Sequence, residues 1–332
     1  MHTPETFRQF INAYQKSRIV LTAFELDIFS QLGNSYKTSS AIALKIHANP
    51  RATDRLMNAL CAIGFLEKKN DTFCNTGFSQ KYLCRSGENY MYGLMHSVNQ
   101  WENWSLLTTV IREGKPASRR PDKINERGEK WLDAFIGAMH YRAYQSAAGI
   151  VSQIDLNNVK RVLDLGGGSG AYSMAFVKAA KGITATVFDL PKVVPLTQKY
   201  IKKEKLSKKI DTYAGDYLYD DFPVAYDLIF ISAVIHINSP EENNAIIGKC
   251  FKSLNPGGLI IIQDHIMNEG RTTPVPGAIF AINMLVGTQH GDTYTEKEIR
   301  GWFRENKIKF EKRIFGENGN SLIIGRKNKL SF

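Results

Sequence analysis

An α/β fold on a mostly parallel sheet with an antiparallel C-terminal hairpin, behind a mainly α-helical region that includes a winged helix, is predicted by three observations. From Arg161 onward, short apolar runs alternate with helical periodicity; the first run ends in Gly166, Gly167, Gly168 and Gly170; and two strand-like segments near the end flank a Gly/Asn turn. A strand followed by a helical crossover returns to its sheet parallel to its predecessor.

With 332 residues the chain exceeds the usual single-domain size, so two domains are expected. Its hydrophobic content of 43% and charged content of 23% are those of a globular protein. The net charge of +11 admits nucleic acid or anionic partners, but the basic residues fall in small groups such as Lys202, Lys203, Lys205, Lys208 and Lys209, which read as a solvated helix face. Cys61, Cys74, Cys84 and Cys250 form no CxxC pair and have no histidine spacing for zinc, so reduced thiols and no metal are expected. MHTPETFRQF has no apolar signal core, and no apolar run approaches a membrane span; a cytoplasmic enzyme is the expectation.

Taken in order, residues 7–31 carry apolar side chains at helical spacing, among them Phe10, Tyr14, Val20, Phe24 and Phe29, on a face wide enough for more than one neighbour. Helices over 38–46 and 50–63 and a hairpin over 68–76 make the winged helix. Arg51, Arg55, Lys68 and Lys69 allow DNA recognition by its second helix, whereas the long apolar helix before it favours packing against a partner subunit. Tyr90, Met91, Tyr92, Met95, Trp101 and Trp104 read as core, 114–128 as a surface loop, and 131–150 as a helix. Strands are expected at 162–165, 185–190, 210–214, 226–232 and 259–264, the last entered by a turn at Asn255-Pro256-Gly257-Gly258, and a hairpin over 310–314 and 321–325. The expected division is 1–115, a helical winged-helix domain; 116–158, a linker and connecting helix; and 159–330, the sheet domain.

The stretch RVLDLGGGSGAY, 161–172, is a strand, a glycine elbow and a helix start. Glycines there let a ligand approach the backbone and permit positive φ. Asp164 lies inside the strand, where a pyrophosphate would be repelled and an ammonium welcomed. Asp189 ends the second strand, suited to a ribose diol, and Asp216 follows the third. A nucleoside that also carries an amino acid uses all three acids, so S-adenosylmethionine fits better than a nicotinamide dinucleotide.

Together with FDLPKVV (188–194), AGDYLYDDFP (214–223), YDLIFISAVIH (226–236), LNPGGLIIIQD (254–264) and GDTYTEKEI (291–299), the elbow makes the chain resemble, over nearly its whole length, the two-domain S-adenosylmethionine-dependent O-methyltransferases, related to plant caffeate and hydroxyindole enzymes. The resemblance implies a Rossmann-like methyltransferase domain behind a winged helix that serves dimerisation, hence a homodimer whose partner completes the pocket, with no nucleic acid or membrane partner. It implies S-adenosyl-L-methionine as cofactor, S-adenosyl-L-homocysteine as product and no metal. The cofactor candidates are Asp164, Gly166, Gly168, Asp189, Leu190, Gly215, Asp216, Tyr217 and Ser232. His236 matches the family's general base and Asp264 the acid that orients it; Asp292, in Gly291-Asp292-Thr293, stands where the family has a second flanking glutamate. Met139, Arg142, Phe280, Asn283 and Met284 match positions lining the cofactor space or the pocket of a small aromatic substrate, and His290, beside Gly291, is a further candidate. After His236 the family often has aspartate and tryptophan, where this chain has Ile237-Asn238-Ser239-Pro240. Other acceptor atoms (N, C or S), a same-fold enzyme without methyl transfer, and a DNA-binding regulator are the alternatives.

Overall fold

Continuous apolar runs can be hydrogen-bonded on both edges and covered on both faces only inside a sheet flanked by helices. The computed structural model describes residues 3–116, 128–316 and 319–329. The chain forms two compact units, residues 1–101 and 102–332. Residues 102–158, read from the sequence as the end of one domain and a connecting segment, thus belong to the same unit as the sheet.

In the first unit, α1 (Pro4–Glu25) starts behind a Thr3 cap and α2 (Ile28–Leu32) follows directly. One helix was expected over 7–31; the structure breaks it at Asp27, whose backbone is left-handed (φ 60°) and whose carboxylate accepts from Arg85 Nε at 3.1 Å. Then come β1 (Lys37–Thr38), α3 (Ser39–Lys45), α4 (Pro50–Ala62), β2 (Leu66–Lys69) and β3 (Thr72–Asn75). Thr38 and Asn49 cap the two helices, and β3 pairs antiparallel with both β1 and β2, the expected winged helix. Ile28, Phe29, Ile42, Met57, Leu60 and Phe73 are its buried core, and Tyr90 stacks on Phe24. The first half of α1 is different: Phe7, Phe10, Ile11 and Tyr14 are each at least 50% exposed. The chain continues through α5 (Gly77–Tyr82), α6 (Leu94–Ser105) and α7 (Leu107–Glu113); the loop expected at 114–128 falls mainly on 117–127, outside the described residues.

In the second unit, the order is α8 (Glu129–Val151), β4 (Arg161–Leu165), α9 (Ala171–Ala179), β5 (Thr184–Asp189), α10 (Val194–Lys203), β6 (Ile210–Ala214), β7 (Tyr226–Ser232), α11 (Pro240–Ser253), β8 (Leu254–Met267), α12 (Val275–Gly287), β9 (Tyr294–Thr295), α13 (Glu296–Glu305), β10 (Ile308–Phe315) and β11 (Asn320–Lys327). The sheet runs β10-β11-β8-β7-β4-β5-β6, with β9 beside β8. Strands β4 to β8 pair parallel with one another, while β11 pairs antiparallel with β8 and forms with β10 the antiparallel hairpin expected at the edge. Alternate residues feed two cores. Leu163, Ile229, Ile231 and Ile260 lie in one; Val162, Leu228, Phe230 and Ile261 lie in the other.

Strand order reverses at β4, with β5 on one side and β7 on the other, and the crevice outside the strand ends at such a reversal is where ligands bind. The expected turn at 255–258 lies instead within β8. Tyr226 pairs with Leu254 but Leu228 with Leu259, so these residues bulge out of the pairing. Asn255 Nδ2 donates to Asp227 at 2.8 Å and Arg326 Nη1 to the Gly257 carbonyl at 2.8 Å, bonds no local pattern announces. In the hairpin turn, residues 317–318 lie outside the described residues. Among the described residues no helix is long and apolar enough to cross a membrane.

Candidate active site

Asp164, near the end of β4, is fully buried beneath the elbow. Its Oδ2 accepts from the Ser173 amide at 3.1 Å and hydroxyl at 2.8 Å, while Oδ1 is buried with no hydrogen-bond partner among the described residues. Burial raises its pKa to about 6, the Ser173 bonds opposing the shift. Gly166 has φ 66°, and a Cβ on it would stand 2.7 Å from Val234 Cγ2, so only glycine fits. The Gly168 amide donates to Asp189 Oδ2 at 2.7 Å and the Leu190 amide to Oδ1 at 2.7 Å. Thr197 Oγ1 donates to the Gly168 carbonyl. Asp189 too is pushed up to about 6 by burial, against those amide bonds.

Beyond β6 the Gly215 amide donates to the Asp189 carbonyl, which fixes the two strand ends side by side. Asp216 is half-buried and accepts from the Leu218 amide, while its own amide donates to Asp220. The Tyr217 hydroxyl meets Asn238 Oδ1 at 3.4 Å, and burial raises its pKa. After β7, Ser232 Oγ donates to Gln263 Oε1 of β8 at 2.8 Å. The elbow and its acids therefore gather at the carboxyl ends of adjacent strands.

His236 sits on a single 3₁₀ turn, Ile235–Ile237, just past β7. Ala233 before it has φ 56°, an uncommon conformation for a residue with a Cβ, held by its amide bond to the Gln263 carbonyl. His236 Nδ1 lies 2.8 and 2.9 Å from the two oxygens of Asp264. A carboxylate only accepts, so Nδ1 carries a proton, and in the neutral ring Nε2 keeps the lone pair. The imidazole is 10% exposed, and Phe280 meets it edge-on with ring centres 4.8 Å apart. Asp264 Oδ1 also accepts from the His265 amide, which fixes the carboxylate.

Several residues that hold this turn were not singled out in the sequence. Asn243 Nδ2 donates to the Ile235 carbonyl at 2.9 Å, and Asn238, 2% exposed, donates to the Val234 carbonyl. The Tyr294 hydroxyl donates to the Asn238 carbonyl. Asn238 and Ser239 belong to the stretch Ile237-Asn238-Ser239-Pro240 that follows the histidine. Here Ser239 caps α11 in a reciprocal box with Glu242, so these positions anchor the histidine turn from behind.

Asp292 adjoins the histidine turn through its backbone, while its side chain is held elsewhere. Its amide donates to the His236 carbonyl at 3.0 Å, but its carboxylate accepts from Arg271 and from the Thr293 amide. Among the described residues no hydrogen bond joins that carboxylate to the imidazole. Gly291 packs so tightly that a Cβ would stand 2.5 Å from the His236 carbonyl, which sets the direction of this loop. Of the expected pocket residues, Phe280 contacts the imidazole. Asn283 accepts from Trp104 Nε1 at 3.0 Å, Met284 is buried, Met139 is half-buried and Arg142 exposed on α8. His290 is exposed, 3.9 Å from Glu242. His265, which the sequence reading passed over, packs against Phe280 on its own account.

Comparison with known proteins gives the family. Residues 122–307 match an O-methyltransferase domain and residues 8–85 an O-methyltransferase dimerisation domain. The chain is 27% identical over 295 residues to a 3-hydroxy-5-methyl-1-naphthoate 3-O-methyltransferase of Streptomyces sahachiroi, covering 87% of this chain and 85% of that protein. It is 25% identical to the acetylserotonin O-methyltransferase of Gallus gallus, over 98% and 97% of the two chains. An O-methyltransferase family protein from Burkholderia thailandensis has the same fold, with a TM-score of 0.88 at 25% identity over the full length of both. Because the domain match spans more than half the chain and contains both the elbow and the His236–Asp264 pair, the protein belongs to the O-methyltransferase family.

Proposed function

We propose that the protein, as a homodimer, transfers a methyl group from S-adenosyl-L-methionine to a hydroxyl of a small aromatic acceptor, with His236 as general base. The observation that carries this reading is the His236–Asp264 pair beside a glycine elbow in which Asp164 keeps one buried oxygen without a hydrogen-bond partner among the described residues. The cofactor fits the chain's own residues: the unpartnered buried Oδ1 of Asp164 suits an ammonium donor, and Asp189 keeps lone pairs for a diol. When bound, the cofactor supplies a methyl group on a sulfonium sulfur that an acceptor oxygen can displace in line.

The chain's own task is to make that oxygen nucleophilic. Nε2 of His236 takes the hydroxyl proton, and Asp264, bonded to Nδ1–H, holds the tautomer and stabilises the imidazolium that forms. Phe280 against the imidazole offers a flat apolar wall for an aromatic acceptor. The naphthoate enzyme among the relatives supports a fused or substituted phenol as the first class to screen. Homodimerisation is supported by the match of residues 8–85 and by the exposed Phe7, Phe10, Ile11 and Tyr14 stripe, which a second copy would cover.

The test is calorimetric titration with S-adenosyl-L-homocysteine followed by methyl transfer to a panel of phenols, amines and thiols. Micromolar or tighter binding and turnover of phenols alone is the expected pattern. No binding by the folded protein sinks the cofactor reading, and methylated amines or thiols sink the choice of oxygen.

Affinity should also depend on pH in a set direction. Asp164 and Asp189 titrate near about 6 in the free protein because burial disfavours their charge. An ammonium beside Asp164 favours the ionised form, so below that value binding must first expel a proton. Titrations at pH 7.5 and pH 5 should differ by about tenfold for each carboxylate involved, weaker in acid, since a one-unit shortfall costs one factor of ten. In the unfolded chain these acids titrate lower. The free protein's stability should therefore fall as pH rises from about 4 to about 6, and ligand should recover it. A flat affinity profile means that neither acid both titrates near 6 in the free protein and touches the ligand.

A further inference from the structure

Ser169, 3% exposed, sits in the elbow between Gly168 and Gly170. Gly166, Gly168 and Gly170 all have positive φ, at 66°, 56° and 76°. Glycine reaches such angles freely but loses more conformational entropy than other residues when fixed there, so this loop keeps one shape only if outside groups hold it. Strand β5 supplies one hold, Asp189 on the Gly168 amide; α10 supplies another, Thr197 on the Gly168 carbonyl. Helix α8 supplies a third: His140 Nδ1 lies 2.8 Å from Ser169 Oγ.

The imidazole of His140 is itself fixed. It stacks on Tyr200 of α10 with ring centres 4.1 Å apart and lies against Tyr144 at 5.1 Å. Burial, reinforced by Lys203 and opposed by Glu204, lowers its pKa to about 4, so the ring stays neutral in ordinary buffers and pairs with a hydroxyl at no cost in charge. Proton transfer at His236 has no use for this second histidine.

We infer that His140 is a positioning residue for the cofactor: by bonding Ser169 it ties α8 to the elbow and fixes the backbone that receives the ligand. The inference rests on the cofactor reading of the elbow. The bond is a neutral pair, so its loss should weaken ligand binding by about five- to tenfold.

The experiment is a double-mutant cycle with S-adenosyl-L-homocysteine as the probe, using wild type, His140→Ala, Ser169→Ala and the double variant in calorimetric titrations. Each single change should weaken binding by that factor, and the double should lose little more than the worse single. His140→Asn, which keeps an amide near the Nδ1 position, should restore most of the loss. In turnover the KM for S-adenosyl-L-methionine should rise while kcat stays within about twofold, a split that general loosening of the fold would not give. Ser169→Ala removes one oxygen, so it keeps the test clear of folding defects, which near-ultraviolet dichroism monitors. Unchanged affinity in Ser169→Ala, or fully additive losses, overturns the proposal alone. A wild type that binds nothing overturns the cofactor reading and this proposal with it.

Discussion

His236→Ala is expected to lower kcat by two to four orders of magnitude while S-adenosyl-L-homocysteine binds with unchanged affinity. A neutral phenol is a weak nucleophile, and a positioned base contributes about 10²- to 10⁴-fold by taking its proton as the bond forms. The imidazole bonds Asp264 and packs on Phe280, whereas the elbow, Asp164 and Asp189 are held by other partners, so its removal should leave ligand affinity alone. Asp264→Asn adds a sharper check. The amide can no longer serve only as an acceptor for Nδ1–H, so the tautomer is lost with little change in shape, and kcat should fall steeply too. The loss in His236→Ala should shrink at alkaline pH, where acceptors ionise unaided. Turnover within twofold of wild type would remove His236 from the mechanism.

Asp189→Ala should cost a hundredfold or more in S-adenosyl-L-homocysteine affinity. Hydrogen bonds to a charged group are each worth about 1.5–3 kcal/mol, and a diol bound by one carboxylate makes two. The change also frees the Gly168 and Leu190 amides, so the elbow loses a hold as the ligand loses its acceptor. Removing this buried carboxylate relieves its desolvation but leaves those two amides unpaired, so the free protein should lose stability as well. Comparing the shift in unfolding temperature with the shift in affinity separates the two effects. Near wild-type affinity in a folded variant would mean that the diol is held elsewhere.

Much of the fold was legible because its signals are local. Short continuous apolar runs, glycines at the elbow and a capping residue such as Thr38 act within a few positions of themselves, and the strands and helices they announce are present. The acids at the strand ends were legible for the same reason: each lies in its strand or within two residues of its end. Illegible features depend on partners far along the chain. The break at Asp27 involves Arg85, and the bulge at 255–258 is held by Asp227 and Arg326. Asp292 was matched by position, but the direction of its side chain was decided by Arg271 and by the packing of Gly291 under the His236 carbonyl.

The sequence by itself determined the α/β architecture, the glycine elbow, and the acids and histidine that sit at strand ends, since spacing alone sets which residues a strand delivers to its carboxyl end. Only the tertiary structure decided that Asp264 meets Nδ1 of His236, that Asn238, Asn243 and Tyr294 brace the turn, and that His140 reaches Ser169. A hydrogen bond is set by separation and angle over a few tenths of an ångström, and those are fixed only when strands and helices far apart in sequence are packed against one another.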